Sequence, residues 1–149
     1  RWDLLERYAI DFDGPWQDEL RAALPDIGKR HKPTGLDYFA FHYDAYKPTH
    51  FPPLAIGRTA WDAWLVHNAL SERVPVVNAL RAVTVVHQYH RKGEIEKEEV
   101  KLNRYYAGER RGSGYLWDAQ YEVAPNYKVQ LARPFVDYWS EMMGWTGWK

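Results

Sequence analysis

Apolar positions along the chain switch between two periods, and the switches mark out the elements. After Gly57 and Arg58, residues Trp61, Trp64, Leu65, Asn68 and Ala69 fall at i, i+3, i+4, i+7 and i+8, which places them on one face of a helix. Thr59, with Asp62 three residues on, has the form of a capping box, so this helix is expected to begin at Thr59. An earlier helix is predicted after Asp13-Gly14-Pro15, where a first-turn proline loses nothing by lacking an N–H. Leu20, Ala23 and Leu24 supply its buried stripe, and it is expected to stop before Pro25. A third, charged helix over residues 94–107 ends at Gly108.

Between the helices lie short runs rich in aromatic or β-branched residues. Residues 36–41 (Leu36, Asp37, Tyr38, Phe39, Ala40, Phe41), 74–79 and 83–86 are predicted strands, and residues 2–12 contain another. Residues 25–35 form a polar loop, and Pro48, Pro52 and Pro53 exclude a regular helix from residues 43–53. Residues 135–148 carry an aromatic tail compatible with a helix. Without a repeat or a Ser/Gly-rich linker, residues 1–149 are expected to form one domain, a mixed α/β layer of strands and packed helices.

Charge then narrows the partners. Twenty basic residues balance twenty acidic ones, so no strong field draws the chain to nucleic acid or to an anionic membrane. No apolar run reaches the roughly 18 residues expected of a membrane helix, and no signal-peptide layout opens the sequence. Cysteine is absent, which excludes disulfides and thiolate metal sites. That suits a reducing compartment, the cytoplasm for a bacterial source. Aromatics make up 16% of the chain although mean hydropathy is −0.63, and flat aromatic faces suit sugar rings as well as cores.

The middle of the chain holds the informative residues. They are the run Asp37-Tyr38-Phe39, the segment from Phe51-Pro52-Pro53 through Gly57-Arg58-Thr59 to Trp61-Asp62-Ala63-Trp64-Leu65, and His87-Gln88-Tyr89-His90. This pattern resembles a family of largely uncharacterised bacterial and plant proteins grouped with glycosyltransferases of the GT-A, or nucleotide-diphospho-sugar transferase, fold. The resemblance continues through Asn103-Arg104 and Ala107-Gly108 to Asp118-Ala119 and covers roughly two-thirds of the chain. It implies a GT-A-like mixed sheet, present as the carboxyl-terminal, acceptor-side half.

In inverting enzymes of that fold, a carboxylate in the first turn of a helix takes the proton from the acceptor hydroxyl, and Asp62 occupies the matching place. The helix dipole favours the ionised form that a base needs, and the same carboxylate can cap the helix. Trp64 is expected in the core, with Trp61 bordering the sugar site. The resemblance adds Asp37, Tyr38 and Arg58 as substrate-binding residues, Arg58 binding a diphosphate or carboxylated sugar or forming a surface salt bridge. It also implies a divalent metal, Mn or Mg, under the donor diphosphate, with His87 and His90 as candidate ligands.

One departure limits the activity expected. Asp11-Phe12-Asp13 has the letters of the donor-site Asp-x-Asp motif but runs straight into Gly14-Pro15, so it reads as a capping turn. The sequence contains no glycine-rich phosphate loop. The donor-binding half is then expected from a preceding segment or another chain, and this chain alone should be inactive. The aromatic tail, with Tyr138, Trp139, Trp145 and Trp148, is a candidate for docking on it. The alternative is a non-catalytic carbohydrate-binding or interaction module, or a structural protein, on the same fold. Residues 92–101 read as a solvated helix face, and Arg110 and Arg111 lie in a surface turn or a loop over a phosphate.

Overall fold

Leu4, Leu20 and Leu24 close around one another, and the elements that carry them make the first of two packed clusters. The computed structural model describes residues 1–31, 34–45, 51–90, 97–108 and 114–134. Among these, the chain is mixed α/β, with three α-helices and two small three-stranded sheets. In order come β1 (Trp2–Leu4), α1 (Trp16–Ile27), β2 (Gly28–Arg30), α2 (Trp61–Ser71), β3 (Val77–Asn78), β4 (Val86–His87) and α3 (Lys97–Ala107). A 3-10 turn (Leu116–Asp118), β5 (Tyr121–Val123) and β6 (Val129–Leu131) follow.

In the first sheet β1 is central. It pairs antiparallel with β2, Trp2 opposite Arg30, and parallel with β4, Asp3 opposite His87. α1 covers it through Leu20 and Leu24, one helical turn apart, with Trp2, Tyr8, Ile10, Trp16, Ile27 and Val86 packed around them. α1 does not stop before Pro25 as the sequence suggested; it runs on to Ile27. Proline in the last turn removes one intrahelical bond, and the Gly28 amide closes the end by donating to the Leu24 carbonyl. Asp11-Phe12-Asp13 is a local turn, its Asp11 Oδ1 accepting the Asp13 amide at 3.0 Å.

The second sheet runs β3, β5, β6, with β5 central, parallel to β3 and antiparallel to β6. Glu122 on β5 is wholly buried, and its charge is met there by three side chains. Gln130 donates at 2.8 Å, Arg133 Nε stands at 3.2 Å and Arg81 at 3.7 Å. A buried carboxylate needs such partners, so β6 and the segment before β4 are tied to β5 by charge.

α2 carries the second cluster. Trp64, Leu65, Asn68 and Ala69 are buried as the stripe predicts, and Trp61 is half-buried. Ala107 of α3 completes the cluster, with Phe39, Leu54 and Ala60 against it. Residues 36–41, expected as a strand, belong to neither sheet. Their aromatics find a helix instead of a neighbouring strand: Phe39 packs edge-on against Trp61 at 5.5 Å, while Tyr38 stays 72% exposed. The expected strands 74–79 and 83–86 shorten to β3 and to β4, which starts at Val86. Residues 92–96, Arg110, Arg111 and the tail from residue 135 lie outside the described residues.

The C-terminus of α2 closes in a Schellman arrangement. The Arg73 amide donates to the Leu70 carbonyl at 3.1 Å and the Val74 amide to the Ala69 carbonyl at 2.8 Å. Arg73 takes the left-handed conformation there, φ 59°, where glycine is the usual residue. Arg73→Gly should therefore stabilise the fold by about 0.5–1 kcal/mol, read as a raised denaturant midpoint. A lowered midpoint would contradict the strain.

Candidate functional site

The site begins with a side chain on α3. Asn103 is 1% exposed and grips the preceding loop at three points. Its Oδ1 accepts the Ala55 amide at 2.8 Å, and its Nδ2 donates to the Ala55 carbonyl at 2.9 Å and the Thr59 carbonyl at 3.1 Å. A primary amide supplies both donors and an acceptor, so one residue fastens both ends of the turn through Gly57. Gly57 itself adopts φ +77°, which a side chain at that position would strain.

The grip fixes how α2 starts. Thr59 is not its cap: the helix begins at Trp61, and the capping position is Ala60, in the left-handed region at φ 78° with no side-chain cap. With its carbonyl held by Asn103, Thr59 lies one residue too early for its hydroxyl to serve the first turn. Asp62 supplies part of what the cap would have: its Oδ1 accepts the Ala63 amide at 2.8 Å. The other carboxylate oxygen has no partner among the described residues.

Asp62 is half-buried and lines a cavity of about 400 Å³ together with Thr34, Leu36, Thr59, Arg104 and Tyr115. Tyr115 is brought there by Gly114, which lies against the backbone of α2. A β-carbon at Gly114 would collide with the Ala63 carbonyl and stand 2.8 Å from the His67 nitrogen, so only glycine permits this approach. The Tyr115 ring stacks on Trp117 at 4.5 Å, and its amide donates to Asp118 at 2.8 Å. The cavity thus combines a carboxylate, a guanidinium, hydroxyls and one aromatic ring.

The other residues singled out from the sequence stand elsewhere. Trp61 is packed on Phe39, and Arg58 is ion-paired with Glu99 of α3, the salt-bridge alternative. Asp37 pairs with Arg1, and both line, with Tyr38, a second cavity that adjoins the first. His87 is on β4, its ring 5.1 Å from that of His90 and its Nδ1 3.9 Å from Asp3. Neither histidine lines the Asp62 cavity. A metal ion does not fit there, because Asp3 is the adjacent carboxylate and Arg1 Nε already stands 2.7 Å from it. Among the described residues no group of three or more His, Asp or Glu is placed to hold a metal.

Arg104, Tyr115, Thr34 and Asn103 are the site residues that sequence reasoning did not single out. Their one signal was Asn103-Arg104, apolar-flanked and ending in Ala107-Gly108 within an otherwise charged helix. Comparison of the chain with protein-family profiles, with curated proteins and with solved structures gives no match.

Two predictions follow from these contacts. Asn103→Ala leaves the Thr59 carbonyl and the Ala55 amide unpaired, while the Ala55 carbonyl keeps the Arg58 amide at 3.3 Å. It should cost about 3 kcal/mol in denaturant unfolding, with the amides of Ala55 and Trp64 losing exchange protection. A loss below about 1 kcal/mol would show that the grip is dispensable. The second concerns His31 and His87, which both stand 3.9 Å from Asp3. Burial, then the Arg1 guanidinium, holds both rings below the ordinary histidine pKa, with Asp3 opposing. The unfolded chain therefore binds more protons just below about pH 6.5, and stability should fall as pH drops through that value towards the folded-state pKa values. Urea midpoints at about pH 7.5 and 5.5 should differ more for the native chain than for the H31Q/H87Q double variant; equal differences would contradict the assignment.

Proposed function

We propose that this chain is the acceptor-side half of a GT-A-type glycosyltransferase, in which Asp62 is the general base that activates an acceptor hydroxyl. The observation that carries this reading is the half-buried Asp62 carboxylate at the wall of a cavity, one oxygen fixed by the Ala63 amide and the other without a partner among the described residues. The resemblance of Gly57-Arg58-Thr59 through Trp64-Leu65 to that family supports it independently of the geometry.

The chemistry assigned to these residues is simple. The Asp62 carboxylate takes the hydroxyl proton as the acceptor oxygen forms a bond to the anomeric carbon. The bond from that carbon to the donor diphosphate breaks, and the diphosphate leaves with the electron pair. Holding one carboxylate oxygen by a backbone amide fixes the base in place, which is the positional part of catalysis. Arg104 offers a fork of donors to a ring hydroxyl or a phosphate, and Tyr115 offers a flat face to a sugar. On this reading the nucleotide sugar, and the divalent metal its diphosphate needs, are held by a separate donor-binding half.

A second reading, a carbohydrate-binding module without catalysis, draws on the lining of the Asp62 cavity, which contains neither His87 nor His90, and on the local role of Asp11. Both readings require that the Asp62 cavity bind a hydroxylated ring. A labelled chain titrated with methyl glucoside, galactoside and mannoside should show amide shifts at Ala60, Asp62, Ala63 and Tyr115 for at least one of them. Asp62→Asn should weaken that binding about tenfold while changing stability by less than about 1 kcal/mol. No shift at these amides with any of the three would remove both readings. Calorimetry with uridine and guanosine diphosphate sugars and Mn²⁺ should give no submicromolar binding, and such binding would contradict the separate donor half.

A further inference from the structure

Two cavities share Leu36 and Tyr115 as a common wall. One is the polar cavity of Asp62. The other, of about 420 Å³, lies between α2 and the second sheet, where Val66, Val76, Val85, Leu116 and Val123 face it. A groove of this size, lined mostly by apolar residues and open to solvent where Val77 and Val83 are exposed, has room for a small apolar group. Its volume and its mostly apolar walls are those of a small-molecule site.

The few polar groups of this second cavity say what the occupant is not. Arg1, His31 and Asp37 line it, and Arg1 is paired with both Asp3 and Asp37. The positive charge is therefore answered by carboxylates, and burial and Arg1 favour the neutral form of the His31 ring. An anionic or cationic ligand gains no counter-charge there. An uncharged apolar group does gain, by leaving water.

We infer that the two cavities are the two parts of one acceptor site: the polar part takes a hydroxylated ring and the apolar part takes an uncharged alkyl or aryl substituent on it. The inference rests on the acceptor reading of the Asp62 cavity and names the acceptor class, a glycoside bearing an apolar aglycone of several carbons. Leu36 and Tyr115 touch both parts of such a molecule. Tyr115 is held in that position by Gly114 against α2, which also carries Asp62 and Val66.

The test compares methyl and octyl glycosides of glucose, galactose and mannose, kept below their micelle concentrations, by chemical-shift titration of the whole chain. For a sugar that binds, the octyl form should bind at least about tenfold tighter than the methyl form, since each buried methylene adds to affinity. It should shift the methyls of Val66, Leu116 and Val123 together with the amides of Ala60, Asp62 and Ala63. Ala119→Leu, which fills the apolar part, should keep methyl glycoside binding and lose the octyl advantage, and Leu80→Phe serves if that variant does not fold. Equal affinity of methyl and octyl forms, with shifts at Asp62, would overturn this inference and leave the proposed function standing. Octyl binding that shifts the valine methyls but not the Ala60, Asp62 and Ala63 amides would overturn it as well, by separating the cavities. No shift at Asp62 with any of the three methyl glycosides would remove the proposed function and this inference together.

Discussion

The arrangement around Asp62 depends on one buried amide, the side chain of Asn103. Its three hydrogen bonds hold Ala55 and Thr59 to α3, and through Thr59 they set the conformation of Ala60 and the first turn of α2. A left-handed alanine is strained by roughly 1–2 kcal/mol, and it persists only where its neighbours leave it no choice. The neighbours here are the Asn103 grip on one side and the buried Trp64 and Leu65 on the other. Asp62 stands between these two anchors. Its position is thus set by a polar contact and a packed core acting on the same turn.

The second fixed point is the approach of residues 114–119 to α2. Gly114 permits backbone contact with Ala63 and His67, and Tyr115 follows it into the wall shared by both cavities. Below that wall, the buried Glu122 with Gln130, Arg133 and Arg81 ties β5 to β6 and to the chain leading into β4. Removing one partner of such a buried group costs more than the pair contributes, so the second sheet holds its shape under the apolar cavity.

What could be read from the sequence was what depends on nearby residues. The α2 stripe was legible because a 3.6-residue period survives whatever the helix packs against, α1 was legible for the same reason, and the end of α3 was marked by Gly108. Residues 36–41 have strand composition, but whether a strand forms depends on a partner, and Phe39 met Trp61 instead. Thr59 has the right letter for a cap in the wrong register, because the register is set by Asn103, which lies 44 residues away. The Schellman turn at Arg73 carried no glycine to announce it. Asp62 became a candidate through the family resemblance of its segment, its first-turn place agreeing with that, and Arg104 and Tyr115, which share its cavity, come from segments that only the fold brings together.

We propose that the Asn103 grip presents the Asp62 carboxylate to a hydroxylated ligand. The most direct measure of this is the carboxyl carbon resonance of Asp62 itself, followed as methyl glycosides are added. This resonance should move with a glycoside that binds, while the carboxyl resonances of Asp11 and Asp18, outside the cavity, stay in place. An Asp62 carboxyl that stays unmoved while other residues report binding would contradict it, leaving Asp62 with only its bond to the Ala63 amide.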